Sequence, residues 1–488
     1  MSKRDIEAVY PLSPVQQGML FHSVYAPHSG VYVEQLSCTL HGELDIAAFE
    51  GAWCQAMARH AVLRTAFVWK RLDRMLQAVQ RQVPLPLEQQ DWRSLPPEEQ
   101  EARLQTYLEA DRRAGFDLSK APLLRLTLFR TADAVHRLVW THHHLLLDGW
   151  SLPLLLREVF AFYEARRQGR ELDLPLPRPY ADYIAWLKAR DGAQAEAYWR
   201  SALAGMRAPT PLVVERMAAA GAEGPAKCSE LRRRLSVQAS EALQSLARRQ
   251  QVTLSTVVQG AWALVLSRYS GEEDVAFGVT VSGRPADLPG AETMVGLFIN
   301  TLPLRVHVPP QGRVGAWLTA LQAQQAGLHQ WEHTPLVDIQ GWSEVPRGQP
   351  LFESIVVFEN YPAGDLVAGR GSLGICDVRT IEQTNYPLTV VAAPGSGLEL
   401  RISYDCGRFA SGTVERMLGH LETVLVAIAA GSEQPLATLP MLTAAERQAL
   451  DGWNDTAVDY GDVRCFHQLF EEIGRAHAEL QSHLCISY

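Results

Sequence analysis

The amino-acid sequence predicts an α/β protein laid out as two lobes joined by a connector. Three observations lead there. Short runs rich in Val, Leu, Phe and Trp alternate with helix-period segments in both halves of the chain. The length, 488 residues, suits two or three domain-sized units. Between the halves, Arg207 to Gly224 is rich in Pro, Ala and Gly, the composition of a connector.

In chain order, Leu44 to His60 carries apolar residues at helical spacing, with Asp45 near its start, and reads as an amphipathic helix. Thr65 to Trp69 is a short strand, and His136 to Thr141 (HRLVWT) another. Ser151 is the expected cap of the next helix, with Pro153 tolerated in its first turn, and the helix should stop near Gly169. In the second half, Ser240 to Tyr269 reads as one long helix. Val275 to Val281, Phe298 to Val306, Ser354 to Phe358 and Leu398 to Tyr404 read as strands, and Val414 to Ile428 as a helix. There is no sequence-level internal repeat and no low-complexity tract.

Composition narrows the function. Hydrophobic residues make up 47% and charged residues 20%, ordinary for a soluble globular chain. Net charge is −9 with no Lys- or Arg-rich block, which argues against a nucleic-acid partner and against an anionic membrane surface. No apolar run approaches the ~20 residues that span a bilayer, and residues 1–20 lack a signal-peptide layout, so the expected location is cytoplasmic. The seven cysteines (Cys38, Cys54, Cys228, Cys376, Cys406, Cys465, Cys485) are odd in number, scattered and free of CxxC pairs. They read as buried or incidental thiols in a reducing compartment.

The chemistry concentrates in His142-His143-His144-Leu145-Leu146-Leu147-Asp148-Gly149-Trp150-Ser151. Imidazole exchanges a proton near neutral pH without perturbation. Asp-Gly after an apolar run marks a sharp turn, so the histidines fall at a strand end facing a helix N-terminus. A metal site would need a third ligand, and no HExxH-like spacing is present. On spacing alone, a general base and a set of hydrogen-bonded core histidines remain equally open. Asp148 is a candidate second catalytic carboxylate; if buried it requires a cation, and Arg284, at a strand end in the other half, is the candidate partner. Asp148 then holds the turn and the histidine orientation. No GxSxG elbow and no GxxxxGK[ST] loop occurs, so neither a serine hydrolase elbow nor nucleotide chemistry is supported.

His143-His144-x-x-x-Asp148-Gly149 resembles the HHxxxDG signature of condensation domains of non-ribosomal peptide synthetases, which are similar to chloramphenicol acetyltransferase. Six further segments resemble that family's motifs in the expected order. They are Tyr10 to Ser23 (YPLSPVQQGMLFHS), Arg59-His60-x-x-Leu63-Arg64-Thr65-x-Phe67, Tyr180-x-Asp182-Tyr183-x-x-Trp186, Gly296-x-Phe298-x-Asn300-Thr301, His333-Thr334-Pro335-Leu336 and Pro350 to Ser354. The resemblance covers about Val9 to Leu442.

The resemblance implies α+β two-layer sandwiches: two acetyltransferase-like lobes forming a V-shaped pseudo-dimer around a central tunnel. It places the first lobe at 10–178 and the second at 179–441, with the connector at about 205–228 and a linker or docking segment at 1–9. It implies upstream donor and downstream acceptor carrier proteins whose 4'-phosphopantetheine arms deliver two thioesters, with no cofactor bound by this chain. The acceptor amine attacks the donor carbonyl. His144 is the implied base or positioning group and His143 a structural one; the Gly149 backbone and the helix N-terminus near Ser151 are candidate oxyanion donors. Trp150, Ser151 and Asn300 are candidate tunnel-lining residues.

Asp148-Gly149-Trp150-Ser151 lacks the Ser-Trp ending of epimerising relatives, and the histidine that heterocyclising relatives replace by Asp is retained. With MLFHS and LFESIVVFENYP, this resembles the type joining an L-donor to an L-acceptor. Leu442 to Glu472 resembles the linker and opening of an adenylation domain. Ile473 to Tyr488 does not resemble its continuation and reads like translated non-coding or adapter sequence, so a truncated fragment unable to activate amino acids is expected. Two rival functions share the fold. One is a stand-alone coenzyme A-dependent acyltransferase; the other is a non-catalytic recruitment module, against which the intact HHxxxDG argues.

Overall fold

The computed structural model describes residues 5–27, 29–70, 72–212, 214, 228–360, 371–457 and 465–484. Two compact units emerge, Met1–Met441 and Leu442–Tyr488.

The first unit opens with strand β1 (Ile6–Pro11), helix α1 (Pro14–Tyr25), β2 (Val33–His41), α2 (Ile46–Arg59), β3 (Thr65–Val68), β4 (Leu76–Gln80), β5 (Leu87–Asp91), α3 (Pro97–Ala114), β6 (Leu124–Ala132), β7 (Val135–His143) and α4 (Ser151–Arg167). It continues with α5 (Tyr180–Lys188), α6 (Gly192–Ala202), β8 (Cys228–Arg234), α7 (Val237–Arg249), α8 (Leu254–Ser270), β9 (Asp274–Val281), β10 (Asn300–His307), α9 (Val314–His329), α10 (Leu336–Trp342), β11 (Ser354–Phe358), β12 (Gly374–Ile381), β13 (Leu388–Ala393), β14 (Glu399–Asp405) and α11 (Ser411–Ala430). The strands form sheets β12-β2-β7-β6-β5 and β10-β9-β11-β13-β14-β8, and a small sheet β1-β4-β3.

Local chemistry sets the ends of several elements. Asp45 accepts from the Ala48 N–H at 2.9 Å and starts α2, whose Phe49, Trp53 and Met57 face the first core. Trp53 meets Trp140 of β7 edge-on, with centroids 5.1 Å apart. Ser13 and Gln16 close a reciprocal capping box on α1.

Four expectations change. Residues 6–9, read as a linker, belong to β1, which pairs with β4 because Val9 to Pro11 continue its ladder. The single helix expected over Ser240 to Tyr269 is two helices: Gln251 takes φ +54°, ending α7, and the Thr253 side chain caps α8 through the Thr256 N–H. Ser151 does not cap α4: the cap position is Trp150, and the Ser151 hydroxyl is engaged elsewhere. The lobes are also not contiguous in sequence, because β12 pairs antiparallel with β2 of the first sheet. Tyr180, Tyr183, Met294, Leu297 and Phe298 likewise pack into the first core, beside Leu145 and Leu155. Most of the connector, 213 and 215–227, lies outside the described residues.

The second unit holds α12 (Ala444–Asn454), with a Thr443–Glu446 capping box, and α13 (Phe466–Leu484). The last four residues of the 473–488 segment lie outside the described residues. Among the described residues, no helix is long and apolar enough to cross a membrane.

Candidate active site

The three histidines end β7, which is flanked by β2 and β6. The backbone then turns: the His144 N–H donates to the Tyr32 carbonyl at 2.9 Å and the Leu146 N–H to the His143 carbonyl at 3.0 Å. Gln16, from the first motif, donates from Nε2 to the Leu145 carbonyl at 3.0 Å and so ties α1 to the turn.

The three rings have different fates. His143 is buried; its Nδ1 accepts from the Leu145 N–H at 3.1 Å, and its Nε2 lies 3.2 Å from Ser23 Oγ. Burial, with the neighbouring His144 and His142, pushes its pKa down to about 3, so it is a neutral, structural ring. His142 is buried and stacks on Trp140. His144 is half-buried and lines a cavity of about 380 Å³ together with Gly149, Trp150, Gln259, Glu359 and Glu382. Its Nδ1 lies 2.6 Å from the Leu147 carbonyl. A carbonyl only accepts, so Nδ1 carries the proton and, in the neutral ring, the lone pair is on Nε2. That is the tautomer a general base requires.

Asp148 is fully buried and points away from this chemistry. Oδ1 accepts from the Ser151 N–H at 2.9 Å and from Arg284 Nη2 at 3.1 Å, and lies 2.7 Å from Ser151 Oγ. Oδ2 accepts from the Phe298 N–H at 3.0 Å. Arg284 also donates through Nη1 to the Ala291 and Met294 carbonyls, and its guanidinium lies over the Phe298 ring at 4.2 Å. This network joins the histidine turn to the segment before β10. Gly283, at φ +60°, lets the chain reach Arg284: a Cβ there would collide with the Phe298 carbonyl oxygen.

Two expected roles are not supported by this geometry. Ser151 does not line the cavity and its N–H is committed to Asp148, so of the two proposed oxyanion donors only Gly149 borders the cavity. Asn300 is buried and donates to the Glu332 and Thr334 carbonyls at 2.8 and 2.7 Å, so it holds a loop rather than lining the cavity.

Sequence reasoning misses one residue. Glu34, on β2 opposite His142, is buried with Oε1 3.1 Å from His144 Nδ1 and Oε2 3.0 Å from His142 Nε2. Burial pushes its pKa up, but His144 and His142 outweigh this and hold it below the ordinary glutamate value. The available signal is a carboxylate inside a strand buried on both faces, which demands a partner. Glu382 differs: it lines both the His144 cavity and a second cavity of about 210 Å³. Desolvation, then the charges of Glu34 and Glu359, raise its pKa well above the ordinary value. Among the described residues, no group of three or more His, Cys, Asp or Glu is arranged to hold a metal.

Residues 6–451 match the family model for the condensation domain. The chain belongs to the condensation domain family. It is 48% identical over 482 residues to one of the linear gramicidin synthase proteins of Brevibacillus parabrevis, a match covering 98% of this chain and 6% of that protein. It is 40% identical over 491 residues to chondramide synthase of Chondromyces crocatus, covering 91% of this chain and 12% of that protein. This condensation domain therefore spans only a small part of the curated synthetases it matches. Its fold is shared with a mutant of the starter condensation domain of rhizomide synthetase in complex with C8-CoA: TM-score 0.76, 22% identity, 89% of this chain and 98% of that one. It is also shared with the X-domain from teicoplanin biosynthesis: TM-score 0.75, 24% identity, 88% and 97% covered. Condensation domains of non-ribosomal peptide synthetases form peptide bonds, an acyltransferase reaction, and work with carrier and adenylation domains.

Proposed function

We propose that this condensation domain joins two carrier-tethered substrates through His144. The observation that carries this reading is the His144 ring at the cavity wall, with Nδ1 held on the Leu147 carbonyl and Nε2 left as the basic nitrogen. The donor is an acyl or peptidyl thioester on an upstream carrier protein, and the acceptor an aminoacyl thioester on a downstream one. Both hang on 4'-phosphopantetheine arms that belong to the carriers.

The acceptor nitrogen attacks the donor carbonyl carbon. The C–N bond forms, the C–S bond breaks, and the donor carrier's thiol leaves with a proton. A thioester is already activated, so positioning two tethered groups supplies much of the acceleration. An α-amine with a pKa of about 8 is largely protonated at neutral pH. His144 removes that proton or holds the free amine in place. Gly149 is the backbone candidate for stabilising the carbonyl oxygen as charge develops. Asp148, Arg284 and Ser151 keep the turn in shape. The Asp148-Gly149-Trp150-Ser151 sequence supports L-configured donor and acceptor groups, and the relatives' names support a peptide secondary metabolite as the product.

The test mixes the purified chain with two carrier proteins, one loaded with an L-aminoacyl donor and one with an L-aminoacyl acceptor. Intact-mass spectrometry then reads dipeptidyl carrier. Product that vanishes in His144→Ala supports the reading. Carrier binding without transfer across several L-configured pairs overturns it in favour of a recruitment role, and transfer from free acyl-coenzyme A without carriers favours a stand-alone acyltransferase.

A further inference from the structure

We propose that Glu34 is a positioning residue for His144, its buried carboxylate supporting the imidazolium that forms when Nε2 takes the amine proton; this rests on the reading of His144 above. The contact is direct, Oε1 to Nδ1 at 3.1 Å, with Oε2 3.0 Å from His142 Nε2. Register places it there: β2 and β7 pair with Glu34 opposite His142 and Val33 opposite His143. Glu34 lines the same cavity as His144, with a side-chain exposure of 6%. Its ion-pair contacts among the described residues are the two imidazoles.

A buried carboxylate supported only by imidazoles stabilises positive charge on them. The Leu147 carbonyl and the Glu34 carboxylate both favour the proton on Nδ1 of His144. Glu34 adds what a neutral carbonyl cannot, a full negative charge 3.1 Å from the ring when it becomes a cation. His142 competes for the same charge from the other oxygen. The other titratable groups around the pair are His143 on β7, Tyr32 with its ring centroid 6.4 Å from that of His144, and Glu382, whose titration Glu34 raises. None of these is a cation that would neutralise Glu34 in place of the histidines.

The experiment measures single-turnover dipeptide formation against pH with the full chain and saturating loaded carriers. Wild-type product first establishes the reaction, so failure of that reading is seen separately. The same substrates serve every variant, so titration of the acceptor amine is common to all. Glu34→Gln keeps the shape and removes the charge. Its plateau rate should fall about 10- to 100-fold, and the acid limb of the profile should move down by about one pH unit, because imidazolium loses its support. His142→Gln releases Glu34 from its competitor, so the acid limb should move up instead. Opposite shifts in the two variants support the role. A folded Glu34→Gln with an unmoved acid limb overturns it, whatever its melting temperature. If Glu34→Gln does not fold, an unmoved limb in folded His142→Gln overturns it equally.

Discussion

Removing the Asp148 carboxylate tests whether the histidine turn is held by a buried ion pair. Asp148 has 0% exposure, and the Arg284 side chain 7%. In Asp148→Ala the guanidinium keeps its bonds to the Ala291 and Met294 carbonyls and its place over Phe298, but its charge is left unbalanced. Breaking a buried pair on one side costs about 3–5 kcal/mol. The Phe298 and Ser151 N–H groups also lose an acceptor, at about 1–3 kcal/mol for an unsatisfied buried donor. These costs overlap, because one carboxylate serves them all, so a destabilisation of about 4 kcal/mol is expected. Asp148→Ala/Arg284→Met removes the stranded cation and should recover about 2 kcal/mol relative to the sum of the single variants. The assay is urea unfolding followed by tryptophan fluorescence, with dipeptide formation measured on the same preparations. A loss below about 1 kcal/mol in Asp148→Ala, or strict additivity in the double variant, would refute the ion-pair argument. So would a rate defect with wild-type stability in both single variants.

Three further outcomes are expected. His144→Ala should lower dipeptide formation by about 10²–10⁴-fold with an unchanged melting temperature; turnover near wild type would remove the base and positioning roles together. His143 has its pKa pushed from 6.5 to about 3 in the folded chain, so between those values the unfolded chain binds a proton that the folded one does not. Its contribution is complete above pH 6.5 and falls as the solution is acidified, by up to about 1.4 kcal/mol per pH unit; His22, His136 and His333, also held below the ordinary histidine value by burial, add to the slope of unfolding stability between about pH 6.5 and 5, and His143→Gln should lower that slope by His143's share. Gly283→Ala should destabilise the chain by about 1–3 kcal/mol because its Cβ has nowhere to go beside the Phe298 carbonyl; a melting temperature equal to wild type would contradict the strained turn.

Local pattern makes much of the fold readable. Asp45 and the apolar spacing after it mark α2, and the β-rich run HRLVWT marks β7. These features are set by residues within a few positions of one another. The argument that a buried Asp148 needs a cation leads to Arg284 because charge burial is costly wherever the partner lies in the chain, and Nη2 stands 3.1 Å from Oδ1. The features that escape depend on long-range pairing. Nothing within Gly374–Ile381 says that it will cross to β2, and nothing near Glu34 says that His142 will face it. Ser151 departs from its local signal for a related reason. Serine before an apolar helix is a good cap by local rules, but the Gly296 N–H and Arg284 arrive from the other half of the sequence and take its hydroxyl.

The polar groups at this site divide by whether the protein already uses them. Asp148, Ser151, Asn300, His143 and the two Nη atoms of Arg284 are engaged with backbone, with one another or, for His143, with Ser23, and none of these residues lines the cavity. Such groups do not reorganise during a reaction; they fix where the turn sits. His144 borders the cavity with one ring nitrogen held and the other left over, and Glu382 borders it with a carboxyl whose pKa is raised by burial and by the charges of Glu34 and Glu359. A reaction between an activated thioester and an amine asks for that division: little covalent help, two substrates held close, and one proton to receive. The buried carboxylate beside His144 lies on the Nδ1 side, where it supports the cation formed when Nε2 takes a proton. On the proposed reading, that division suits aminolysis with His144 as the proton acceptor and Glu34 supporting its imidazolium.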